Sequence, residues 1–268
     1  MKLTLQKKNM NKLNLPKYLR MPDNTLPVTG CKEGEISEYV ILTNFRKHIE
    51  LAKSKFNHIN TLRKDQGWEV DTITGKIDNL FLTVCCSGIG SGQTSNVMEE
   101  LILLGGKYFI QLGATGALQP HIDLGDIIIP TGSVRDEGTT KYYAPLQYPA
   151  VSDFKISNML FNTVKQHNKK VYTGIVRTTD GFYPSQRIEE YVNEYSNLGV
   201  LSVEQEISTI LTIASTKNCY ASATLLVIGN LINGLHSFNG DQINLLEKDW
   251  FDQFKYALQV FKELSNEN

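Results

Sequence analysis

The sequence predicts a single α/β domain with a central mixed, mostly parallel twisted sheet flanked by helices. Three observations lead there. Continuous apolar runs of strand length alternate with segments whose apolar residues recur at helical spacing, the pattern of a parallel sheet covered on its faces. Glycine-bearing stretches follow two of the strands. No repeat, low-complexity tract or linker divides the 268 residues, a length that one α/β domain can fill.

Residues 1–30 read as an irregular N-terminal arm, where Pro16, Pro22 and Pro27 interrupt any helix, and residues 31–268 as the domain. Tyr39–Leu42 is a short buried strand, and Lys47–Phe56 is a helix with Ile49, Leu51 and Phe56 on one face. Val70–Asp78 reads as an edge hairpin leading into the strand Leu80–Cys85. Ser87–Gly92 is a loop ahead of a helix from Thr94 to Leu104, which Gly105 and Gly106 close. Tyr108–Leu112 and Asp126–Pro130 are strands bracketing a loop from Gly113 to His121. A helix at Asn158–Gln166, a strand at Lys170–Thr178 and the loop Asp180–Gln186 come next. Val200–Val203 (strand), Ile207–Thr216 (helix), Ala221–Ile228 (strand) and the amphipathic helix Asn244–Leu264 complete the order.

A charged fraction of 21% and a formal net charge of -1 give no electrostatic footprint for a polyanion, so nucleic acid is not an expected partner. Cys31, Cys85, Cys86 and Cys219 lack metal or disulfide spacing and read as reduced packing residues. The basic, polar N-terminus lacks the apolar core of a signal peptide, and no run of eighteen apolar residues exists to enter a membrane. The expectation is a cytoplasmic protein without metal or cofactor; none of the five histidines sits in a ligand or triad pattern.

Glycines in Ser87–Gly92, between strand and helix, would let backbone N–H groups approach an anion, although the same pattern arises as a plain tight turn. Gly113–Gly116 repeats the device after the next strand, and both loops would open on one crevice. Glu204 and Glu206, one residue apart in extended chain, would present both carboxylates to vicinal hydroxyls; a solvated helix start reads equally well. Phe182, Tyr183 and Gln186 combine aromatic faces with an amide able to donate and accept, as the imide edge of a flat base requires, although a Phe-Tyr pair is more often packing.

Three longer stretches carry a family likeness. Gly113-Ala-Thr-Gly-Ala-Leu-Gln-Pro-His-Ile-Asp-Leu-Gly-Asp126, Ser133-Val-Arg-Asp-Glu-Gly138 and Ala144-Pro-Leu-Gln-Tyr-Pro-Ala-Val-Ser-Asp153 closely resemble nucleoside phosphorylases, and among them the bacterial-type uridine phosphorylases. The likeness runs from roughly residue 39 to 264. It implies a pentosyltransferase that splits a pyrimidine nucleoside with inorganic phosphate as co-substrate. By position it implies that Glu206 holds the ribose hydroxyls, with Gln205 beside it and Thr115 at the ribose and phosphate end. Phe182 and Gln186 would hold the base, with Arg187, Asn230 and Gly116 as further candidates, and Gln186 would stabilise the departing base.

Against the family's pattern, Ile188 and Leu231 stand where it has base-reading arginines. Its phosphate loop corresponds to Thr43-Asn-Phe-Arg-Lys47, its phosphate arginine on the next strand to Gln111 near Ala114, and the arginine lent by a neighbouring subunit to Trp68. Lys47 or Arg46 would then supply the charge, without the bidentate fork of the family's own arginine where Lys47 serves. Those replacements leave two alternatives beside phosphorolysis: a nucleoside-binding homologue with little or no catalysis, and a nucleoside hydrolase. The likeness further implies a homodimer or a homohexamer of three dimers, with Trp68 and Glu69 facing the neighbour.

Overall fold

A computed structural model describes residues 20–64, 67–183, 187–236 and 240–267, excepting the side chains of residues 240–247. At its centre β1 (Tyr39–Thr43), buried along its whole length, lies parallel to both β4 (Leu80–Cys86) and β5 (Tyr108–Ala117). Alternate side chains of β1 serve two cores: Val40 and Leu42 face one, Tyr39 and Ile41 the other. The first core is closed by α2 (Ser91–Leu103) and α5 (Ile207–Thr216), the second by α3 (Phe154–Gln166) and α6 (Gly240–Glu267). A strand covered on both faces must be apolar at every position, which is why these runs lack alternation.

Beyond β5 the sheet bends into a ring. β10 (Tyr220–Asn230) runs parallel to β5, then antiparallel to β6 (Ile127–Asp136). β6 is parallel to β8 (Val171–Thr179), β8 to β9 (Ser202–Glu204), and β9 returns antiparallel to β5. In the other direction β4 pairs antiparallel with β3 (Thr72–Ile77), which pairs with the edge strand β2 (His58–Arg63). The longest registers are parallel, and the antiparallel pairs lie at the ring's closure and at the edges.

Several elements run further than the sequence predicts. β5 continues through Ala117, across the expected glycine loop, because β10 pairs with it to Asn230. β6 continues to Asp136 beside Thr179 of β8. Among the longer elements, β2 and α4 (Ile188–Asn197) have no counterpart in the sequence reading, and no residue of α4 is buried. α1 (Arg46–Lys53) is shorter than expected, and the two-residue strands β7 (Ala150–Val151) and β11 (Leu235–His236) add short edges.

The described part of the N-terminal arm packs onto α2. Leu26 and Val28 are buried, and the Glu100 carboxylate accepts the N–H groups of Val28 and Thr29 at 3.0 and 2.7 Å. Cys31, Cys85 and Cys86 are buried thiols and Cys219 a half-buried one; burial pushes Cys31 up to about 12 and Cys219 up to about 11, so they stay protonated packing groups. No helix among the described residues is long and apolar enough to cross a membrane.

Candidate functional site

The parallel strands β1 and β5 end side by side, Leu42 opposite Gln111 and Thr43 opposite Leu112, so the segments C-terminal to both strands share one crevice. After β4 the chain turns through Ser87–Gly90 into α2, with Gly88 and Gly90 at φ of 73° and 94°. The Ser87 N–H and hydroxyl both donate to the Thr43 carbonyl, at 2.8 and 3.3 Å, and fix the glycine loop against the end of β1.

Asn44 is the hub of this crevice. Its amide donates to the Gly88 carbonyl at 3.1 Å, while its oxygen accepts from the Gln111 amide at 2.8 Å. Glu206 in turn accepts the Gly90 N–H at 2.6 Å. Gln205 joins two neighbouring segments, its carbonyl accepting from the Ser91 hydroxyl at 2.8 Å and its amide reaching the Asp180 carbonyl at 3.3 Å. Thr115 donates to the Val203 carbonyl at 2.8 Å. Thr43, Gln111, Thr115, Gln205 and Glu206 thus lie around one spot, with Ala114 half-buried on the same strand end. Sequence reasoning missed Asn44; its signal was its place inside the Thr43–Lys47 segment that the likeness assigns to phosphate.

The two glutamates do different work. Glu204 accepts the Thr178 hydroxyl with one oxygen and, with the other, the N–H groups of Glu206 and Ile207 at 2.6 and 2.7 Å, capping the start of α5. The expectation that both carboxylates face a pair of hydroxyls is therefore corrected: Glu204 is consumed by the fold, and Glu206 alone faces the glycine loop. Burial, and then the neighbouring Glu206 charge, hold the Glu204 carboxyl well above the ordinary range. Burial also raises Glu206, against the Gly90 N–H and the Asn44 amide, which favour its ionised form.

His48, given no role by the sequence, has its Nδ1 2.5 Å from the Thr43 hydroxyl and its ring stacked on Trp250 with centroids 4.0 Å apart. Burial, then the Lys47 charge, pushes this imidazole down to about 3, so it is neutral at physiological pH.

The cationic candidates are placed otherwise. Arg46 turns toward Glu69 at 2.5 Å and Asp71 at 3.4 Å, and Lys47 is exposed in the first turn of α1. Trp68 is half-exposed and its carbonyl accepts from Gln93 at 2.8 Å, which sets Trp68 and Glu69 beside the start of α2. Among the described residues no group of three or more His, Cys, Asp or Glu could hold a metal ion.

At the base end, Phe182 and Tyr183 are exposed and meet edge to face at 4.8 Å. Gln186 lies outside the described residues. Arg187 pairs with Glu190 at 2.8 Å and lies over the Tyr191 ring, on the surface of α4. Asn230 is fully engaged in the loop: its amide donates to the Gln119 and Ile122 carbonyls and its oxygen accepts from Ile232 and Asn233, leaving nothing for a base. Gly116 makes room for Leu231, whose Cδ1 lies 2.5 Å from where a β-carbon would sit. Beside it opens a cavity of about 380 Å³ lined by Ile188, Glu189, Val192, Asn193, Leu231 and Ile232. The site can thus offer a buried carboxylate to hydroxyls, a glycine loop at a helix start to an anion, and a largely apolar cavity to a flat ring.

Residues 38–253 match the family described as the Phosphorylase superfamily. The uridine phosphorylase of Escherichia coli (strain K12) is 34% identical over 177 residues, covering 62% of this chain and 69% of that protein. The guanosine phosphorylase of Halorubrum lacusprofundi is 28% identical over 203 residues, covering 76% and 83%. A crystal structure of uridine phosphorylase from Vibrio fischeri ES114 has the same fold, with a TM-score of 0.78 over 92% of this chain and 100% of that one at 23% identity.

Proposed function

Because this chain belongs to the phosphorylase superfamily, we infer that it is a nucleoside phosphorylase of the uridine phosphorylase kind, cleaving a nucleoside reversibly to free base and ribose 1-phosphate. One observation supports this most directly: the buried Glu206 carboxylate accepts the Gly90 N–H of the glycine loop at the start of α2, and Asn44 donates to the Gly88 carbonyl of the same loop. Sugar and anion sites of a phosphorolytic centre have to touch in this way.

In the proposed reaction, a phosphate oxygen forms a bond to the anomeric carbon as the bond from that carbon to the base nitrogen breaks. The electron pair leaves on the base, which is protonated as it departs. Glu206 accepts hydrogen bonds from the ribose hydroxyls and its negative charge favours the cationic sugar of the transition state, with Gln205 and Thr115 bordering it. Phosphate sits at the Gly88–Ser91 turn near Asn44, Gln111, Ala114, Thr115 and Thr43, with Lys47 lending positive charge in place of Arg46, which Glu69 and Asp71 engage. Phe182, Gln186 and Gly116 flank the base, and Gln186 stabilises its developing charge. Trp68 and Glu69 face a second subunit in a homodimer or homohexamer. Phosphate is the co-substrate, no cofactor takes part, and the enzyme works in the cytoplasm.

Relatives named for uridine and for guanosine fall in the same range of similarity, so the assay presents both bases. Purified protein incubated with uridine or guanosine and millimolar phosphate should release base and ribose 1-phosphate in equal amounts, read by chromatography. Release of base with free ribose would make it a hydrolase, and binding without release would make it a non-catalytic homologue; either outcome overturns the reading.

A further inference from the structure

Gln111, on β5, has no exposed surface, and its Oε1 has no hydrogen-bond partner among the described residues. The orientation of its amide is dictated by its neighbours. Asn44 must turn its own NH2 to the Gly88 carbonyl, which can only accept. That leaves Asn44 Oδ1 as the acceptor for Gln111, so Gln111 must present Nε2 at 2.8 Å and its Oε1 is the free end. The Thr43 hydroxyl nearby is engaged by His48. A buried carbonyl-type oxygen without a donor is destabilising, so a ligand that brings a donor is favoured there.

We propose that Gln111 makes this anion site selective for a tetrahedral oxyanion that carries its own O–H group: phosphate or arsenate, and not sulfate. The inference rests on the phosphate reading of the crevice. The N–H groups of the Gly88–Ser91 turn other than that of Gly90, which Glu206 holds, serve the unprotonated oxygens, and Gln111 Oε1 accepts the P–O–H proton. Sulfate at neutral pH has four acceptor oxygens and no proton to give, so it leaves Oε1 unsatisfied and places an oxygen lone pair against it. A guanidinium at this position would donate to either anion and discriminate little.

The test is a titration of the purified full chain, free of nucleoside, with sodium phosphate and separately with sodium sulfate at neutral pH, followed by calorimetry. Phosphate should bind roughly tenfold more tightly than sulfate, or better, given the cost of an unsatisfied buried acceptor. In Gln111→Arg the two affinities should converge, chiefly through a gain for sulfate. The wild-type comparison needs no variant, so a Gln111→Arg protein that fails to fold leaves the test intact. Equal affinity for phosphate and sulfate in the wild type overturns the selectivity while ribose 1-phosphate formation still supports the phosphorolytic reading. Absence of both phosphate binding and ribose 1-phosphate overturns the two together.

Discussion

Glu206 accepts the backbone N–H of Gly90 at 2.6 Å, across 116 residues of sequence, so the carboxylate at the start of α5 and the glycine turn at the start of α2 form one unit. The turn is built on backbone that only glycine adopts readily: Gly90 has φ 94° and ψ 150°. Space is no obstacle there, since a β-carbon would meet nothing within 4 Å.

Gly90→Ala should therefore act through backbone strain alone, lowering stability by about 1–3 kcal/mol. Nucleoside affinity should fall with it, because the N–H that orients Glu206 moves. Urea unfolding and a nucleoside titration on the same preparation check both.

Glu204 and Glu206 should separate cleanly. Glu204→Ala leaves the Thr178 hydroxyl and two N–H groups of α5 without their acceptor, and should cost about 2–3 kcal/mol. Glu206→Ala strands a single N–H, that of Gly90, and removes a carboxyl whose ionised form burial disfavours, so the two effects offset and its stability should stay within about 1 kcal/mol of the wild type. Unfolding midpoints of the two variants read the difference.

The same pair sets a pH dependence. Both carboxyls titrate above the ordinary carboxylate range, so between that range and their raised values the folded chain holds protons that the unfolded chain has released. Their contribution to stability therefore falls as pH rises through that window and is greatest below it. Ribose binding runs the other way, since the ionised Glu206 is the better acceptor. Nucleoside affinity should climb with pH across the window in the wild type and stay flat in Glu206→Gln, as titrations at several pH values would record.

Asn230→Ala should behave as a structural lesion. It strands two carbonyls between β5 and β6 and two N–H groups in the turn after β10, at about 1–3 kcal/mol, while kcat/KM for the nucleoside stays near that of the wild type once the protein is folded. A selective change of base preference would return Asn230 to the base pocket.

The central strands were legible because burial on both faces leaves unbroken apolar runs: Tyr39–Leu42 and Ala221–Ile228 lie within β1 and β10, and the Ile207–Thr216 helix is α5 to the residue. β2 and α4 were not, since neither presents a continuous buried face from which a period could be read. Closure of the ring is also silent in the sequence, because the β9–β5 contact joins strands too distant along the chain to mark each other. In the site, Glu206 and Gln111 could be placed by pattern and likeness, but the division of labour between Glu204 and Glu206 depends on which carboxylate turns back to cap α5. Local sequence does not carry that rotation.

The most direct measurement of the account compares uridine with 2′,3′-dideoxyuridine by calorimetry, on wild-type protein and on Glu206→Ala. Two charge-assisted hydrogen bonds at about 1.5–3 kcal/mol each should make the wild type prefer uridine by about a hundredfold or more, and the alanine variant should lose that preference. A wild type that binds both nucleosides alike, or a variant that keeps the full preference for uridine, would show that Glu206 does not hold the ribose.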